Sequence, residues 1–242
     1  MTFTNVSAPI GEWRFGSLAW TETNGQYRAT SPIALRASKF SAPPEVTRTG
    51  VDGSTSFEVK FGYTGQYAAV PQGLIQATET NDTVVQDPDQ NFDPNDGFSD
   101  VHNFALSDVS VLRVAIPPEA TEANADLDVY VFDPSGTLAA SSTLGGTDEE
   151  VTIQAPANGT WKVYVHGWQT IGADSDYTLF SWQVPNATGG SLTASGPSSA
   201  TIGTVGTVNL SWTGANGWNL GAVAHTEGSN VLGRTLVEVD NR

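Results

Sequence analysis

Between Asp87 and Asp100 the chain sets an oxygen-bearing side chain at nearly every second position: Asp87, Asp89, Asn91, Asp93, Asn95 and, beyond Asp96, Asp100. Carboxylate and amide oxygens at that spacing can converge on one hard cation, and Ca²⁺ takes six to eight such ligands from a flexible loop. These six residues are the candidate metal ligands, with calcium as the candidate cofactor. The stretch also reads as a solvated acidic linker, because Pro88 and Pro94 keep the backbone extended. A second pair, Asp126 and Asp128, shares one face two residues apart. Either its carboxylates bond backbone N–H groups of nearby turns or they ligate a metal. Tyr164, Trp168 and Tyr177 are candidates for a binding face, since amphipathic aromatics near turns can stack on a sugar or pack on a protein chain.

Strands must position these groups. In Ala125–Asp133, Leu127, Val129 and Val131 point one way and Asp126, Asp128 and Tyr130 the other, the period-2 signature of a half-buried strand. Asp133-Pro-Ser-Gly136 then supplies turn chemistry. Similar Val-, Thr- and aromatic-rich segments recur about every ten residues between Gly, Pro, Asn and Asp clusters, and no window sustains a helical period. The chain is therefore expected to be all-β, a jelly-roll-like β-sandwich flanked by further sandwich segments. Predicted strands include Glu12–Glu22, Ser56–Tyr63, Val101–Ala105, Val109–Ile116, Thr160–Gly167 and Tyr177–Val184, with none between Tyr63 and Val101. Residues 41–185 hold enough strands for a complete sandwich. Residues 1–40 and 190–242 each make about half of one, and these halves either pair with each other or are independent fragments. Trp13, Trp20, Trp161, Trp182 and Trp212 fall within predicted strands and are expected in cores.

Composition narrows the partners. The 242 residues are 38% apolar and 10% aromatic, ordinary for a folded protein. With 26 acids against 10 bases the formal charge is −16, which disfavours nucleic acid and anionic membranes and favours cationic partners. No cysteine is present, excluding disulfides and thiol chemistry. No apolar run approaches the roughly 18 residues of a membrane span.

Several motifs carry a resemblance. Asp126-Leu-Asp-Val-Tyr-Val-Phe-Asp-Pro-Ser-Gly136, followed by Asp148-Glu-Glu150 and Gly159-Thr-Trp-Lys-Val163, resembles the pre-peptidase C-terminal domain, a non-catalytic β-sandwich appended to secreted peptidases. Phe15-Gly-Ser-Leu-Ala-Trp-Thr21, then Arg28 and Ser31-Pro-Ile-Ala34, resembles the closing strands of the fibronectin-type-III-like domain of subtilisin-like serine proteases, with Ala29 and Thr30 inserted relative to that pattern. Residues 190–242, with Gly233-Arg-Thr-Leu-Val237, look like a terminal repeat of such proteins. The resemblance implies a fibronectin-type-III-like end at 1–40, a pre-peptidase-like jelly roll at 41–185 and a C-terminal sandwich segment at 190–242. It also implies secretion, and some pre-peptidase-like domains bind calcium near their N-terminal edge.

Catalysis is not expected of this chain. His102, His166 and His225 lie in or beside predicted strands rather than in the helix-opening contexts of a subtilase triad, and Ser141, Ser142, Ser198 and Ser199 lack a nucleophile elbow. The expected function is that of an accessory region which stabilises or orients its own catalytic domain, or binds protein substrate or a cell-surface polymer. A carbohydrate-binding module and a structural spacer are the alternatives.

Overall fold

The computed structural model describes residues 9–242. Residues 1–8, where the predicted N-terminal segment begins, lie outside the described residues. The strands are β1 (Trp13–Thr21), β2 (Arg28–Arg36), β3 (Phe40–Ser41), β4 (Glu45–Arg48), β5 (Gly53–Phe61), β6 (Gly65–Gln66) and β7 (Ala68–Gln76). There follow β8 (Thr78–Val85), β9 (Ser99–Leu106), β10 (Val109–Ile116), β11 (Asp126–Phe132), β12 (Leu138–Ser142), β13 (Glu149–Gln154), β14 (Gly159–Gln169) and β15 (Asp174–Pro185). The last are β16 (Thr193–Ser195), β17 (Ser199–Ala200), β18 (Val205–Trp212), β19 (Gly217–Glu227) and β20 (Asn230–Asn241).

Two sandwiches result. The central one packs sheet β13-β10-β15-β8 on sheet β12-β11-β14-β9. Its core is filled by inward positions at period 2: Leu112, Val114 and Ile116, Leu127, Val129 and Val131, and Val163 and Val165. The alternation read from Ala125–Asp133 is the alternation observed, with those three apolar side chains fully buried. The second sandwich packs β16-β18-β5-β3 on β4-β20-β19-β7 around Phe57, Val59, Phe61, Val208, Leu210 and Trp212.

This pairing differs from the expected boundaries. Residues 190–242 are completed by strands from residues 40–76, not by the β1–β2 hairpin, so the central sandwich spans 78–185 and is inserted between β7 and β16. Two features hid β7 and β8 from the sequence. Pro71 and Gly73 interrupt β7 beside a register shift against β19, while β8 is an edge strand whose polar TETNDTVV lacks an apolar face.

A third apolar layer joins the sandwiches. Val111 and Ala115 of β10 and Phe180, Trp182 and Val184 of β15 pack on Trp218, Leu220 and Ala222 of β19 and Leu236 of β20. Burying each such large side chain stabilises by about 1.5–3 kcal/mol. Arg113 of β10 enters this layer at 2% exposure. Its Nη1 donates to Glu45 Oε1 and Glu238 Oε2 at 2.8 and 2.9 Å, its Nη2 to Glu45 Oε2 at 2.8 Å and its Nε to Thr152 Oγ1 at 2.8 Å. Burial opposes its charge, but Glu45, Glu150 and Glu238 outweigh that and hold the guanidinium above its ordinary pKa. Since Glu45 and Glu238 belong to β4 and β20, the cation locks one sandwich to the other.

The β1–β2 hairpin stands apart from both cores. Trp13, Phe15, Trp20 and Tyr27 are exposed, with Phe15 at 79%. The expectation that Trp13 and Trp20 are core residues fails, because two strands have no opposing layer to bury them. Trp161, Trp182 and Trp212 are buried as expected.

His225 is sealed inside the second sandwich. Thr235 Oγ1 donates to the Pro43 carbonyl at 2.7 Å, so it accepts from His225 Nε2–H at 2.9 Å, and Nδ1 accepts from the Tyr67 hydroxyl at 2.8 Å. The ring is therefore neutral, and burial pushes its pKa down to about 4.

Two outcomes are expected. Arg113→Ala leaves Glu45 and Glu238 facing each other without a cation, and should cost about 3–5 kcal/mol in chemical denaturation. For His225, the unfolded chain takes up a proton below about pH 6.5 while the folded chain does not, so stability falls as pH drops from there to about 4, by roughly 3 kcal/mol. Denaturation midpoints between pH 7 and 4 check this, and His225→Gln should flatten that slope.

Candidate functional site

The acidic segment leaves β8 and crosses to β9 over the outer face of sheet β12-β11-β14-β9. Its entry is clamped by Gln86, which donates from Nε2 to the Trp168 carbonyl at 2.9 Å and accepts the Thr170 N–H at Oε1 at 2.8 Å. Its middle is pinned by Phe92, whose ring stacks on Tyr130 with centroids 3.8 Å apart and planes 7° off parallel. Tyr164 and His166 meet the same ring edge-on at 5.7 Å. These partners line up because Asp126, Asp128 and Tyr130 of β11, and Tyr164 and His166 of β14, occupy the outward phase of their strands.

The predicted ligand set does not converge. Asp87 Oδ1 accepts the Asp89 N–H at 3.1 Å, Asp89 Oδ1 the Asn91 N–H at 3.1 Å, and Asp93 Oδ1 the Asn95 N–H at 2.9 Å. Each carboxylate closes a turn on its own backbone two residues ahead, so the period-2 spacing is spent on Asx-turns instead of a shared centre. Asp100 instead joins Asp82 and His102, whose ligand atoms with its own lie within 4.8 Å of one another. There the Tyr177 hydroxyl donates to Asp100 Oδ2 at 2.5 Å and accepts from His102 Nε2 at 2.7 Å, a closed set of hydrogen bonds.

Beneath the loop lies a buried charge cluster. Asp87 Oδ2 sits 2.7 Å from His166 Nε2, while Asp128 Oδ2 is 3.4 Å from His166 Nδ1 and 3.4 Å from the Tyr130 hydroxyl. Burial opposes charge on His166, but Asp128 and Asp87 outweigh it and raise its pKa; for Asp87 the bonds to His166 and the Asp89 N–H outweigh burial and lower it. Each shift favours the charged form of its group. Glu149 of β13, in the neighbouring sheet, is at 1% exposure and accepts the Leu144 N–H at 3.1 Å. Burial, reinforced by the charges of Asp128 and Asp126, pushes its carboxyl up to about 7. A cavity of about 560 Å³ opens above, lined by Gln90, Asn91, Asp126, Asp128, Tyr130 and Trp168 among others.

The predicted aromatic binding face is not assembled. Tyr177, at 2% exposure, belongs to the central core on β15, and Tyr164 is covered by Phe92. Trp168 alone of the three is half-buried at the cavity rim. Sequence reasoning passed over Glu149 as a site residue. Its signal is an acid two positions before Val151, in the inward phase of a strand.

Acyl transfer has no apparatus on this face. Ser99 is opposite His166 in the β9–β14 register, but its Oγ makes no hydrogen bond, and both ring nitrogens of His166 face carboxylates. No nitrogen is free to take a serine proton. The arrangement holds charge and a loop. Phe92→Ala should accordingly lower stability by about 1–3 kcal/mol. Amide exchange in residues 88–98 should accelerate while β10 and β14 stay protected, and unchanged loop exchange would show that Phe92 is not the anchor.

The fold and this face can be set beside known proteins. Residues 98–167, which run through β9 to β14, match the bacterial pre-peptidase C-terminal domain. Strands β8 and β15 complete the two sheets outside the matched range. Pyrolysin of Pyrococcus furiosus is 27% identical over 185 residues, covering 74% of this chain and 12% of that protein, so the chain spans about an eighth of the relative it matches. Among solved structures, tripeptidyl peptidase 2 is similar over 100% of this chain and 26% of its own, at 10% identity and a TM-score of 0.32. A glycosylation-associated protein complex from Streptococcus agalactiae is similar over 60% of this chain and 45% of its own, at 8% identity and a TM-score of 0.22. Neither structural likeness bears on the assignment, which rests on the domain match and on pyrolysin. The central β-sandwich is similar to the pre-peptidase C-terminal domain over residues 98–167, and that match together with the likeness to pyrolysin supports a C-terminal region of a subtilisin-like protease.

Proposed function

We propose that this chain acts within a secreted subtilisin-like serine protease as a rigid accessory unit that docks on the parent enzyme and stabilises or orients its catalytic domain. The observation that carries the reading is the β1–β2 hairpin. Its register puts Trp13 and Phe15 on one face and Leu18, Trp20, Ile33 and Leu35 on the other, so both faces are apolar, and neither core of this chain covers them. A two-stranded hairpin with exposed aromatics gains its stability from whatever it packs against. The parent protease is the partner held at high effective concentration by the chain itself. The joined sandwiches support the same reading, because the shared apolar layer and Arg113 transmit orientation without a flexible linker between them.

The full-length protease tests this. Trp13→Ser combined with Trp20→Ser should shorten the thermal half-life of its activity, with kcat/KM on a short peptide unchanged at low temperature. A raised KM for a protein substrate with an unaltered half-life would instead assign the hairpin to substrate capture. No change in either would remove the hairpin from function.

A further inference from the structure

We propose that the acidic cavity at the seam between the two sandwiches receives an arginine side chain presented by another polypeptide. The cavity encloses about 300 Å³ between β13 and the turn after β10 on one side and β19 and β20 on the other. Its walls carry six carboxylates, those of Glu119, Asp148, Glu149, Glu150, Glu238 and Asp240, against the single guanidinium of Arg242. Such a cleft concentrates cations. Arg242 pairs with Glu119 and Asp240, and the buried Arg113 with Glu150 and Glu238. Asp148 and Glu149 are left without a cation among the described residues.

Two buried polar groups on these walls point to a ligand. Trp218 is 8% exposed, and its Nε1–H has no hydrogen-bond partner among the described residues. Glu238 lies near enough for the indole to bear on its carboxyl, yet no hydrogen bond joins them. An indole N–H only donates, so it calls for an acceptor such as a peptide carbonyl. Glu149, at 1% exposure, accepts the Leu144 N–H at Oε1 at 3.1 Å, while its Oε2 has no partner. That oxygen calls for a donor, and a cationic donor offsets the neighbouring carboxylates as well. A basic residue within a peptide chain supplies both the cation and the carbonyl. An inorganic cation supplies no acceptor for Trp218.

Arg242 shows which basic group these walls suit. Its guanidinium lies 3.8 Å from the centre of the Trp218 ring, donates from Nη1 to Glu119 Oε1 at 2.8 Å, and forks from Nε and Nη2 onto Asp240 Oδ1 and Oδ2 at 3.0 and 2.9 Å. Stacking on an aromatic face while gripping a carboxylate with two nitrogens is guanidinium geometry, which the ammonium of lysine does not reproduce.

The test is proton–nitrogen NMR of the isotope-labelled whole chain, with Trp218→Phe identifying the Trp218 indole resonance. The probe is a capped glycine–arginine–glycine peptide. It should move that resonance with a dissociation constant on the order of 10⁻³ M. The same peptide with neutral citrulline in place of arginine, and separately Glu149→Gln titrated with the arginine peptide, should each bind about tenfold more weakly. Asp128→Asn, beneath the acidic loop, should keep the full response. No movement of the Trp218 indole at about 10 mM peptide would overturn the proposal. So would equal binding of the citrulline peptide, or unchanged affinity in Glu149→Gln. Agmatine carries the guanidinium without a peptide carbonyl, and an equal response to it would overturn a polypeptide as the source.

Discussion

Strands β10 and β19 are buried on both faces, and the placement of everything else follows from that constraint. Even-numbered residues of β10 fill the central core, while Val111, Arg113 and Ala115 fill the layer between sandwiches. On β19, Trp218, Leu220 and Ala222 face that same layer, and Val223 and His225 face the second sandwich. A sheet with two apolar faces must be covered twice. The central sandwich is therefore clasped by the domain into which it is inserted. Arg113 belongs to the same logic, since a guanidinium in that layer is tolerable only with Glu45, Glu150 and Glu238 around it.

With one sheet of the central sandwich committed to that layer, the outer face of the other is left for polar groups, and the acidic segment closes over it. Phe92 supplies the apolar anchor, and Asp87 and His166 supply the ionic one. Placing an imidazole between two carboxylates beneath a loop is a way to hold the loop. The same chemistry disqualifies the histidine as a base. The similarity to pre-peptidase domains over residues 98–167 covers this face.

Much of this was legible along the chain. The all-β class, the facing of Leu127, Val129 and Val131, the Asp133–Gly136 turn and the core roles of Trp161, Trp182 and Trp212 follow from period-2 alternation and turn chemistry, which act between residues a few positions apart. Alternation states which side chains share a face. It does not state what covers that face.

That second question is answered only by long-range pairing. Trp13 and Trp161 sit in equally plausible strands, yet Trp161 has a sheet opposite it and Trp13 has none. Tyr164 and Tyr177 both read as surface aromatics, but one is covered by Phe92 and the other faces the opposite sheet. Spacing suggested that the carboxylates from Asp87 to Asn95 converge, whereas each bonds its own backbone two residues on. Asp100 instead meets two other ligand-type groups, Asp82 and His102, across the pairing of the sheets. Local sequence set the phase of each strand because steric and turn preferences are local. Tertiary structure decided which phases became core, interface or charged site, because burial depends on residues that the chain brings back from elsewhere.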